Sequence, residues 1–139
     1  MTFMDDQLND IYDRTSGRCH ICGGELAFRN YGVRGFSGAW EVEHSNPQVN
    51  GGTHRLSNLY AAHIGCNRSK GASSTKYARS RYGRTKAPLS FSKREAVRVE
   101  NTFVIGTAGA FIGSRLGGVH GAIFGAALGA LLGNSVRPD

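Results

Sequence analysis

From Gly109 to Gly133 a glycine stands at every fourth position: Gly109, Gly113, Gly117, Gly121, Gly125, Gly129 and Gly133. Few structures make use of that period. In water each glycine costs a helix up to about 1 kcal/mol relative to alanine. In lipid an unpaired backbone costs more, so a helix is enforced. There, small residues four apart let two backbones touch. The flanking sequence is apolar over 103–113 and 116–133, apart from Ser114, Arg115 and His120. A bilayer core needs about 20 helical residues, and each run falls short of that. One long helix with Arg115 snorkelling would span; so would a hairpin turning around Ser114–Gly118. A four-residue step advances the stripe by about 40° per glycine on an ideal helix. A flat packing face is therefore easier to build from two short helices, and a hairpin is expected. A soluble glycine-rich core or an oligomerisation stalk is the alternative.

The ladder is one of three chemically distinct stretches. Residues 1–67 carry five basic and seven acidic side chains, a net −2. Residues 68–98 carry ten basic side chains and one acid, Glu95, a net +9. Residues 99–139 balance at zero. The mean hydropathy of −0.32 averages over all three. The basic block suits tracking a phosphate backbone, with Arg68, Lys70, Lys76, Arg79, Arg81 and Arg84 as the contacts. Attraction to anionic lipid is compatible with that role, and a solvated linker is the plain alternative. The block lacks hydrophobic periodicity and is expected to be extended or weakly ordered when free. A helix is expected to begin after it, at the Ser92–Glu95 capping pattern. The acidic N-terminus, Met1 to Asp13, has no apolar run, so no signal peptide is expected.

The first stretch reads as a short helix holding Met4, Leu8, Ile11 and Tyr12, stopped near Gly17. A tight turn follows at Cys19–Gly24, then a strand over 39–44, a loop from Asn46 to Ser57, a second strand over 59–62, and a helix from His63 ending at Gly71. Cys19-x2-Cys22 and His63-x2-Cys66 are two paired-ligand motifs. Thiolate and imidazole suit tetrahedral zinc, and a two-residue gap lets both side chains reach one ion. His20 or His54 is an alternative to His63. A Cys3His shell is closed, so this zinc is structural. Three cysteines, odd in number, make a disulfide scaffold a poor alternative.

Between and after the ligands lie E-V-E-H-S-N-P at 41–47, Gly51-Gly52, Asn58-Leu59 and C-N-R-S-K-G at 66–71. In that order they resemble the HNH nuclease family, over roughly residues 10–75. The resemblance implies a ββα-metal core buttressed by zinc. It implies His44 as general base, Asn58 fixing the loop and orienting that base, and Glu43 with Asn67 holding a catalytic Mg2+ or Mn2+. Strand alternation puts Glu43 and His44 on opposite faces, so the two converge only at a strand end or a twist. The acid before His44 is Glu rather than the commoner Asp, and the third signature position is Asn67 rather than His. The C-terminal ladder resembles the glycine-zipper membrane domains of bacterial proteins.

The expected architecture is therefore α+β. A nuclease head spans 1–75, a basic linker and helix start 76–100, and a glycine-zipper segment 101–134. The expected function is metal-dependent hydrolysis of DNA, tethered to the cytoplasmic face of a bacterial inner membrane. Entering phage or plasmid DNA is the natural substrate. Partners would be DNA, inner-membrane lipid and further copies of the chain, with no organic cofactor. Two rival readings are a non-catalytic zinc-stabilised nucleic-acid-binding module and a membrane-active pore former with a regulatory head.

Overall fold

The computed structural model describes residues 3–135, with the side chains at 109, 113–121, 124 and 134 outside that description. Two compact units divide at Phe91/Ser92.

The first unit opens with α1 (Asp5–Asp13), whose first turn holds Asp5 and Asp6 and whose buried stripe is Leu8 and Ile11. The chain reverses at Gly17 (φ +68°), where a Cβ would lie 2.7 Å from the Tyr12 hydroxyl. That hydroxyl donates to the Leu26 carbonyl at 2.6 Å. Tyr12, Phe28 and Tyr31 surround fully buried Trp40, ring centroids 4.9–6.1 Å from it. The Trp40 indole N–H donates to the Phe28 carbonyl, so its one polar group is satisfied.

β1 (Trp40–His44) pairs antiparallel with β2 (Leu59–His63), with Trp40 opposite His63 and His44 opposite Leu59. α2 (Ile64–Lys70) follows directly and stops at Gly71 (φ +53°). These three elements form a ββα unit. The loop 45–58 carries two 3-10 turns and crosses close to itself at Gly52, where a Cβ would overlap the Asn46 carbonyl.

The basic block is more ordered than its composition predicts. Residues 68–70 belong to α2, and Thr75–Ser80 form α3, capped by the Ser74 hydroxyl accepting from Tyr77 N–H. Thr75 and Ala78 are buried. Two small inward residues dock this helix without a hydrophobic period, so residues up to 91 belong with the head.

The second unit is α4 (Phe91–Ser135). It begins one residue before the expected Ser92 start. A Cβ on Gly133 would lie 2.7 Å from the Asn101 carbonyl and 2.8 Å from Thr102 Cα. One on Gly129 would strike the Ile105 carbonyl. On a straight helix residues 105 and 129 lie about 36 Å apart. The run therefore doubles back on itself, with 101 facing 133 and 105 facing 129. Gly129 and Gly133 are buried at that contact, so the ladder is used for backbone approach. Residues 114–118, where a turn is expected, lie within α4, so no break in the helix marks the reversal. Phe103, Phe111, Ile123, Leu128 and Leu131 are exposed. Among the described residues no helix is long and apolar enough to cross a membrane.

Candidate active site and metal centre

The ligand atoms of Cys19, Cys22, His63 and Cys66 all lie within 4.8 Å of one another. Tetrahedral zinc with bonds of about 2.3 Å has sulfurs about 3.8 Å apart, so the set is close to closing on one ion. The Cys22 sulfur is 3.3 Å from His63 Nδ1. His63 Nε2–H donates to the Glu25 carbonyl at 3.1 Å, which leaves Nδ1 a lone pair for the ion. The His63 backbone N–H also donates to the Cys19 sulfur. Hydrogen bonding among the sulfurs drives the Cys22 thiol below its usual range and the Cys19 thiol above it, as expected where one ion would replace shared protons. The set clamps the 19–24 turn to the β2–α2 junction.

Of the alternative ligands, His20 is turned away from this cluster. Its ring stacks on Tyr60, centroids 3.8 Å apart, and its Nδ1–H donates to Glu43 Oε2 at 2.9 Å. Burial is the main force holding His20 below the ordinary imidazole range, so it is neutral. Glu43 is fully buried. Thr75 donates to its Oε1 at 2.6 Å, and Lys70 Nζ lies 3.3 Å from the same oxygen. Burial alone would raise its carboxyl, but His20, Thr75 and Lys70 outweigh it and hold the group below the usual range. Lys70 also donates to the His44 carbonyl at 2.9 Å, and the Thr75 hydroxyl, whose one proton goes to Glu43 or is shared, lies 3.0 Å from the Ser45 carbonyl. This network pins the end of β1.

The expected ligand Glu43 is thus spent on protein donors, and it does not line the cleft. Lys70, expected at phosphate, has its ammonium turned inward as well. Glu43→Ala should cost the head about 3–5 kcal/mol in denaturant titration, because Lys70 is left buried and unpaired.

His44 ends β1 on the other face. With Asn67 and the stem of Lys70 it lines a cleft of about 270 Å³, closed by Pro47, Gln48, Val49, Gly71 and Ala72. Asn58 holds the cleft's loop: its amide donates to the carbonyls of Asn46 (3.0 Å) and Thr53 (2.9 Å), and its Oδ1 accepts from Asn46 N–H (2.7 Å). Asn67 Nδ2 donates to Glu41 Oε1 at 2.9 Å, which leaves Oδ1 as its oxygen for a cation. Glu41, not singled out from the sequence, is the acid beside Asn67, and it also pairs with Arg68 at 3.2 Å. A hard cation that keeps most of its water and takes substrate phosphate fits so sparse a donor set.

Desolvation, then neighbouring His54, lowers the His44 pKa from its ordinary value, so its imidazole is neutral at pH 7. If His44 acts as a general base, the acid limb of kcat/KM should lie below the ordinary imidazole value of about 6.5. A limb above that value would contradict this environment.

Lys76 and Arg81 are exposed; Arg79 and Arg84 are half-buried, Arg84 lying over Gly23. The partners of His20, Thr75 and Glu41 escape sequence reasoning, because each meets a residue far away in the chain.

Residues 19–73 match the family model described as HNH endonuclease. Residues 101–137 match the one described as glycine zipper 2TM domain. Neither the curated proteins nor the solved structures contain a significant match to the chain.

Proposed function

Because the chain carries an HNH endonuclease domain over residues 19–73 and a glycine zipper 2TM domain over residues 101–137, we propose that it is a membrane-tethered DNA endonuclease. The observation that carries this reading is the single cleft shared by His44 and Asn67, with its loop fastened by Asn58. Neutral His44 takes a proton from water, and the hydroxide attacks phosphorus in line with the 3′ oxygen. The 3′ oxygen leaves and takes a proton from solvent water, giving 5′-phosphate and 3′-hydroxyl ends. A divalent cation at Asn67, with the Glu41 carboxylate beside it, would supply charge stabilisation at the leaving oxygen. Lys70 and Glu43 keep the His44 backbone in place throughout. Zinc at Cys19, Cys22, His63 and Cys66 stays structural.

Lys76, Arg79, Arg81 and Arg84, with Arg68, give the DNA-backbone attraction. Neutralising Lys76 and Arg81 together should flatten the slope of log K against log salt by about 1.8. An unchanged slope would remove both from the DNA contact.

The hairpin of α4 presents Phe103, Phe111, Ile123 and Leu128 outward, which supports insertion in lipid or packing against further copies. The proposed location is the cytoplasmic face of the inner membrane, and the proposed substrate is DNA entering across it, such as phage DNA. Purified protein incubated with supercoiled plasmid and Mg2+ or Mn2+ tests the enzyme reading. Relaxed or linear product is expected, and intact plasmid under every divalent cation overturns it. Loss of membrane sedimentation on deleting 101–139 tests the tether; unaltered sedimentation contradicts it.

A further inference from the structure

The loop between the strands brings a second imidazole against His44. His44 Nε2 and His54 Nδ1 lie 3.1 Å apart, and the rings meet edge to face at 81°. Two ring nitrogens at that distance share one proton, so one must donate and the other accept. The terminal amide nitrogen of Gln48 is placed 2.6 Å from His54 Nε2 and 3.3 Å from His54 Nδ1. An amide presents oxygen or NH2 there by a half turn about its last bond. With its oxygen inward, Gln48 accepts from His54 Nε2–H, and His54 Nδ1 is left as an acceptor. His44 then donates through Nε2, and its Nδ1 keeps the lone pair that a general base needs. The reverse direction would put a proton on His44 Nδ1 and leave the cleft without a base.

The mount of this acceptor is rigid. His54 directly follows Thr53, whose carbonyl is held by the Asn58 amide at 2.9 Å. Asn58 therefore fixes the loop that carries His54, as well as the loop's start at Asn46.

We infer that His54, backed by Gln48, is a positioning residue that accepts the Nε2–H of His44 and holds the base in its Nδ1-basic tautomer. The inference rests on His44 being the base. His54 is exposed, so its variants should fold. The test compares full-length zinc-loaded wild type, His54→Leu and His54→Asn in detergent, on plasmid DNA with Mg2+ or Mn2+. His54→Leu should lower kcat roughly 10- to 100-fold, with KM for DNA and the cation midpoint unchanged. His54→Asn should restore most of the rate, since its side-chain oxygen can stand where Nδ1 stood.

An unchanged kcat in His54→Leu overturns the inference. A loss confined to KM makes His54 a DNA contact instead, and a shifted cation midpoint makes it a cation ligand. Imidazole 15N spectra give a reading that needs no cleavage. The Nε2–H form of His44 is expected in wild type and a mixture in His54→Leu; an Nδ1–H form in wild type overturns the proposal. Absence of cleavage by wild type would instead defeat the nuclease reading, with the tautomer still measurable.

Discussion

Replacing Cys66 with serine, or stripping metal with a chelator, is expected to unfold the head. Its four donors come from the 19–24 turn, the end of β2 and the first turn of α2. Those are the segments whose contact closes the ββα unit. Structural zinc supplies roughly 10–16 kcal/mol at neutral pH. A domain of this size has a net stability of about 5–15 kcal/mol. Losing the ion therefore removes as much as the fold has. Trp40 is fully buried and is the chain's only tryptophan, so its fluorescence reports on the head alone. The emission should move to the red on chelation and return when zinc is restored. Metal analysis should find one zinc per wild-type chain and none in Cys66→Ser. Unshifted emission in a metal-free sample would show that the cluster is not the head's structural support.

The second large effect belongs to His44. Changing it to alanine should cost about 10²- to 10⁴-fold in the rate of cleavage, the usual worth of a general base. The loss should fall on kcat, since His44 lies at the cleft and the proposed DNA attraction comes from the basic arm. Stability should hardly change. The His44 side chain is only partly buried and meets His54, whereas the bonds that pin the strand end use the His44 and Ser45 carbonyls, which alanine keeps. This separates His44 from Glu43, whose removal should act first on folding.

Much of the head is legible from short-range patterns. The 39–44 and 59–62 segments, the helix from His63 to Gly71, and the paired motifs Cys19-x2-Cys22 and His63-x2-Cys66 are each set by residues close together in sequence. The glycine drift favours the hairpin, and Gly129 and Gly133 do sit against the returning backbone. Strand alternation also signals that Glu43 and His44 face apart. It does not say what Glu43 meets. His20, Lys70 and Thr75 arrive from the zinc turn, α2 and α3, and their convergence is a property of the fold. α3 itself is too short to show a period, and its docking depends on Thr75 finding Glu43. Glu41 is a similar case, since only α2 packing shows that Asn67 reaches it.

The most direct measurement is the rate of plasmid cleavage by wild type and His44→Ala, side by side with Mg2+ or Mn2+. Both proteins should first show the same zinc content and the same Trp40 emission. Cleavage by wild type with a rate at least about a hundredfold lower in His44→Ala is the expected result. Equal rates in the two proteins would contradict the account.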